Sequence, residues 1–169
     1  NHMETTNERG QKSFLRKPEI IELKDIVNHS AFEATKTATL PKGYIIPKEF
    51  ANIAEHLKRH GVQVTELTNN KRASGEVFTA TNLERANRPF EKHKMATIEG
   101  SYAAANKRFG KGDFWVDMAQ PLANLIFYLL EPESDDGLVN WNFFDEHFDS
   151  NGIAEKPVDY PIFKYFEIK

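Results

Sequence analysis

Leu122-Ala123-Asn124-Leu125-Ile126-Phe127-Tyr128-Leu129-Leu130 is the most apolar window of this chain. Leu122, Leu125, Ile126 and Leu129 fall at i, i+3, i+4 and i+7, the spacing of one helix face. Phe127, Tyr128 and Leu130 extend apolar character around the other sides. A helix apolar nearly all round is predicted to be buried, in the middle of the fold or against another domain. Pro121 suits its first turn, where a missing N–H leaves no bond unmade. The window is far shorter than the roughly 20 residues needed to span a bilayer, so no membrane span is expected.

The segments around this helix form two units of similar layout. Gly43-Tyr44-Ile45-Ile46-Pro47 reads as a short strand, and Phe50, Ile53, Ala54 and Leu57 then recur at helical spacing. Gly61 ends that helix in the left-handed position, and Val62 to Leu67 alternates as a half-buried strand does. The second unit leads from Gly112-Asp113-Phe114-Trp115-Val116 through Pro121 into the apolar helix. Between the units, 76–81 and 94–102 read as strands, with 103–105 as a bend or strand despite its alanines. Asn87 to Phe90 is the connection, because proline removes a ladder donor, and Gly110-Lys111-Gly112 is a tight turn. Asp159 to Ile168 closes the chain as an alternating strand. These elements predict an α+β (α/β-like) fold, a mixed sheet with at least two packing helices, with a β-sandwich as the alternative.

At 169 residues the chain is expected to hold one domain, which at about 150 residues buries roughly 68–70% of its unfolded surface. Asn1-His2-Met3 reads as a cloning remnant, and Glu4 to Lys12 as a disordered lead-in without apolar periodicity. Residues 13–169 are the expected single domain. The chain carries 22 basic and 25 acidic residues for a net charge of −3, with no run of about five like charges. Nucleic acid is therefore not an expected partner. With no cysteine, neither a disulfide framework nor a thiolate zinc cluster can form.

No catalytic residue, cofactor site or metal site is expected within these residues. Catalytic zinc takes three protein ligands and leaves a position open for water. None of the six histidines, His2, His29, His56, His60, His93 and His147, is followed by glutamate three residues later. His56 and His60 stand one helix turn apart, but the residues between them are Leu57-Lys58-Arg59, where a zinc-peptidase helix carries an acid. There is no Gly-x-Ser-x-Gly elbow and no phosphate loop.

The acidic loop 131–137, Glu-Pro-Glu-Ser-Asp-Asp-Gly, lies just past a helix C-terminus, where negative charge is unfavourable. Something is expected to offset it, and the candidates by type are Arg85 and Arg88 or basic groups on a neighbouring domain. The loop reads as structural, as a docking surface, or as a calcium site lacking EF-hand order. With the aromatic run behind it, the candidate docking or ligand surface is Glu133, Asp135, Asp136, Trp141, Phe143 and Phe144. Core packing is the competing role for Trp141, Phe144 and Phe148, while Trp115, Trp141 and Tyr102 are candidate platforms for a ligand.

The stretch from Ala119 to Asp145, and within it Leu129-Leu130-Glu131-Pro132-Glu133-Ser134-Asp135-Asp136-Gly137-Leu138-Val139, resembles the C-terminal region of bacterial zinc carboxypeptidase-like proteins of the metallocarboxypeptidase family. Gly43 to Pro47, Leu57 to Val64 and Arg88-Pro89-Phe90-Glu91 are similar to the same pattern, so that the resemblance runs from about Lys17 to the end. It implies a secreted or periplasmic zinc peptidase as parent, whose catalytic residues and zinc lie upstream. This chain would be a non-catalytic accessory domain packing on or assisting that peptidase domain, its expected partner. The alternative is a glycan- or peptide-binding module that targets the peptidase.

Overall fold

A computed structural model describes residues 2–20, 22, 24, 26–28, 30–31 and 33–168. Two compact units are present, Asn1–Thr37 and Ala38–Lys169. In the first, the stretch expected as a loose lead-in is instead a β-hairpin. Strand β1 (His2–Thr6) pairs antiparallel with β2 (Lys12–Arg16). Asn7 Oδ1 accepts the backbone N–H groups of Arg9 and Gln11 at 3.0 and 2.9 Å, and Gly10 takes φ +75°. An asparagine side chain mimicking a backbone turn explains the tight reversal that apolar periodicity does not reveal.

The second unit contains β3 (Gly43–Ile46), a short 3-10 turn (Lys48–Phe50), α1 (Ala51–Arg59), β4 (Thr65–Glu66), β5 (Lys71–Arg85), β6 (Ala96–Phe109), β7 (Phe114–Asp117), α2 (Ala123–Leu130), α3 (Asp145–Ser150), β8 (Val158–Asp159) and β9 (Phe163–Ile168). Its sheet runs β4-β7-β3-β9-β5-β6, with β8 also paired to β5. The architecture is α+β-like, mostly sheet with few helices. Every described ladder is antiparallel rather than mixed. Strands β3 and β4 each pair antiparallel with β7, which lies between them. The strand–helix–strand pattern of residues 43–66 is therefore real, but its two strands are not neighbours, so no parallel ladder forms.

Apolar side chains fill both faces of this sheet. On the helix side, Tyr44, Ile46, Phe78, Ile98 and Val116 pack with Ile53, Ala54 and Leu57 of α1, Ile126 and Leu130 of α2, and Phe144 and Phe148. On the other face Ile45, Leu67, Ala73, Val77, Phe109, Phe163 and Tyr165 form a second cluster. Burial on both faces explains why β3 reads as an uninterrupted apolar run instead of alternating. Helix α2 buries Ile126 and Leu130, but Tyr128 is 47% exposed. It lies against the sheet by one side, not enclosed on all sides as its composition predicts.

Register shifts leave Thr81 of β5 as an extra residue against β6 and Phe166 of β9 as an extra residue against β5. Bulges of this kind turn a strand and raise its twist. At Gly75 an added Cβ would stand 1.9 Å from the Lys164 carbonyl oxygen and 2.8 Å from Tyr165 Cα. Gly75→Ala is expected to lower the unfolding free energy by at least the ~1–3 kcal/mol of an overpacked core, measured by urea unfolding, because backbone rather than a flexible side chain occupies the space.

Candidate functional site

Among the described residues, Glu131 is the one buried carboxylate. It follows α2 directly, its N–H donating to Phe127 O at 3.0 Å, and its backbone turns extended (φ −70°, ψ 125°). Pro132 disfavours a helical residue before it, so the chain leaves the helix here and the Glu131 side chain enters the protein, where it is 6% exposed. Tyr44 of β3 donates to its Oε1 at 2.5 Å and Tyr102 of β6 to its Oε2 at 2.7 Å. Lys164 of β9, 1% exposed, places Nζ 2.9 Å from Oε1 and 3.0 Å from Oε2.

The ammonium spends its remaining donor on Thr39 O at 3.1 Å, and lies 4.0 Å from the Tyr102 ring centroid. Tyr160 closes the cluster by donating to Leu130 O at 3.1 Å. Burial, and then the charge of Glu131, push the Tyr44, Tyr102 and Tyr160 hydroxyls well above the ordinary tyrosine range. They remain proton donors at neutral pH. Both oxygens of Glu131 already hold a phenol and an ammonium, a complete satisfaction of a buried charge. The arrangement locks strands and helix together and leaves no lone pair directed at a substrate.

The cation that offsets Glu131, the first acid of the loop, is thus Lys164, which the sequence reading missed. Arg85 serves α3 instead: Nε bonds Asp145 Oδ2 at 2.8 Å and Nη2 bonds both Asp149 oxygens at 3.0 Å. Burial alone would lower its pKa, but the two aspartates outweigh this and hold it above the usual value. Arg88 is exposed. The available signal for Lys164 was its place between Ile162 and Phe166, a lysine on the apolar side of an alternating strand.

Of the candidate surface residues, the structure joins Asp136 to Trp141 and places Phe144 in the core. Asp135 and Asp136 are exposed and Glu133 is half-buried. Asp136 accepts the Trp141 indole N–H, and the half-buried Trp141 ring meets His93 and Phe90 at 5.3 and 6.3 Å. Phe143 packs on His56 at 4.8 Å. Phe144, 1% exposed, lies inside the core against Tyr160 and Phe50 at 4.9 and 5.8 Å. Of the other platform candidates, Tyr102 is committed to Glu131. Trp115 donates its indole N–H to Tyr165 and lines an open cavity of about 650 Å³ with Lys42, Asp117, Met118, Tyr165 and Glu167. Tyr165 is pushed up to about 12, by burial first and then by Asp117.

His29 lies outside the described residues. His56 and His60 bring their Nε2 atoms within 3.3 Å. Among the described residues no group of three or more His, Asp or Glu is placed to hold a metal. Burial, then His60 and Arg59, lower the His56 pKa from its ordinary 6.5. The unfolded chain therefore binds more protons than the folded one below that value. Stability from this site is present above pH 6.5 and falls as pH drops through the lowered folded pKa. Thermal melts across this range should show the loss, and His56→Gln should make it shallower.

No protein-family model matches this chain, and no solved structure matches it. Over 117 residues, 69% of this chain, it is 26% identical to Carboxypeptidase 2 of Trichophyton tonsurans. The same coverage gives 26% identity to Carboxypeptidase 2 of Trichophyton equinum and 25% to that of Trichophyton rubrum. The matched stretch is 22% of each of these fungal relatives, so the chain spans about a fifth of their length. This similarity supports a carboxypeptidase-related region.

Proposed function

We propose that this chain is a non-catalytic accessory region of a zinc carboxypeptidase-like peptidase. In this reading it lies C-terminal to a catalytic domain of the same polypeptide, packs on or assists that domain, and leaves zinc binding and peptide hydrolysis to it. The similarity to Carboxypeptidase 2 carries the reading, because it covers most of this chain and only 22% of each relative. The chemistry of the second unit agrees with it. Its buried carboxylate is saturated by Tyr44, Tyr102 and Lys164, and a general base needs a free lone pair within reach of a proton. An exported parent, secreted or periplasmic, belongs to the same proposal.

A second reading, a glycan- or peptide-binding module that targets the peptidase, is favoured by the open cavity beside Trp115. There an aromatic face lies next to Lys42, Asp117 and Glu167, the mixture of apolar wall and few polar groups found in ligand sites. Release of C-terminal residues from a short peptide separates catalysis from both readings. The purified chain is expected to release none, with or without added zinc. Zinc-dependent release, absent from a chelated control, would contradict the proposal. Quenching of tryptophan fluorescence on adding an oligosaccharide or peptide, lost in Trp115→Phe, would select the binding reading over packing.

A further inference from the structure

Among the described residues, strand β6 is an edge of the sheet, pairing with β5 alone over its whole length. At its start the Ala96 N–H donates to Asn140 O at 2.9 Å, and Ala96 O accepts from Asn140 Nδ2 at 2.7 Å. Both groups of Ala96 therefore face away from β5. In an antiparallel strand the outward-facing backbone recurs at every second residue, so Ile98, Gly100, Tyr102, Ala104, Asn106 and Arg108 present theirs outward as well. No backbone partner meets these groups among the described residues. Asn140 thus closes the ladder at Ala96, and the open part is centred on Ala103.

We propose that this open edge pairs with the same edge of a second copy of the chain, about a two-fold axis at Ala103. The outward-facing residues fix the register. Residues hydrogen-bond across an antiparallel pair only where both backbones face the partner. A two-fold pairing that uses all the open groups sets Ile98 opposite Arg108, Gly100 opposite Asn106, and Tyr102 opposite Ala104. The intervening side chains then meet in the close, non-hydrogen-bonded positions, about 4.5 Å between Cα atoms. Ser101 faces Ala105 and Ala103 faces itself, residues small enough for that approach. Glu99 faces Lys107, an opposite-charge pair formed twice by symmetry. Both are exposed, and neither side chain has an ionic partner within its own chain among the described residues. A single register therefore satisfies the ladder, the side-chain volumes and the charges.

Sedimentation velocity of the whole chain across a micromolar concentration series tests this, together with hydrogen exchange. The expected result is a reversible dimer in which the Gly100, Tyr102, Ala104 and Asn106 amides become protected as concentration rises. Glu99→Lys alone and Lys107→Glu alone should each weaken the dimer about tenfold, since each sets like charges opposite at two places. The double variant Glu99→Lys/Lys107→Glu should restore it. Both positions are exposed, so circular dichroism should show all three variants folded. A monomer at every concentration would overturn the proposal. So would a dimer indifferent to the single reversals, or one not restored by the double. Protection that appears only when an extended peptide is added, with the protein monomeric, would give the edge to a peptide and equally overturn it.

Discussion

A glutamate that leaves a helix and enters an apolar interior must find its charge matched there, and the second unit is organised around meeting that requirement at Glu131. Its oxygens collect groups from three places in the sheet: Tyr44 on β3, Tyr102 on β6 and Lys164 on β9. Strands far apart in sequence are thereby referred to one point at the end of α2. Apolar packing is non-directional and tolerates sliding, whereas hydrogen bonds to a single carboxylate fix orientation. Whether such a pair adds net stability is a separate matter, since desolvating two ions can exceed their attraction. Its effect on specificity arises because any alternative packing leaves a charge alone in the core.

Around this point the sheet is buried on both faces. Tyr44 and Ile46 face the helices while Ile45 faces the second cluster, which contains Phe163 and Tyr165. Lys164 sits between those two residues in sequence and points to the opposite side. The same short strand therefore supplies the ammonium to one face and aromatic bulk to the other. The absence of a Cβ at Gly75 lets β5 approach the Lys164 backbone, which makes the position of the charge dependent on the strand beside it.

Much of this arrangement is legible in the amino-acid order. The strand at Gly43, the helix carrying Ile53, Ala54 and Leu57, and the helix of Leu125 and Ile126 follow from apolar spacing, which local sequence records directly. What pairs with what is not recorded locally. Ladders between β3, β7 and β9 join residues from opposite ends of the chain, so the all-antiparallel order could not be read from strand–helix–strand patterns. The hairpin at Asn7 is not legible in apolar spacing, because a side-chain turn needs no apolar period. The position of Glu131 just past a helix C-terminus calls for a compensating group, but residue type alone points to Arg85, whereas Arg85 binds Asp145 and Asp149. A lysine on the apolar side of a strand was the clue, and it becomes informative only once a buried acid is sought for it.

Urea unfolding of a double-mutant cycle on Glu131 and Lys164 tests the organising role of this pair most directly. Glu131→Leu and Lys164→Met should each cost about 3–5 kcal/mol, because each strands the other charge in the interior. The double variant should lose far less than their sum, leaving mainly the unbonded hydroxyls of Tyr44 and Tyr102. Two single losses that simply add would contradict the account, since they would mean that the carboxylate and the ammonium do not depend on one another.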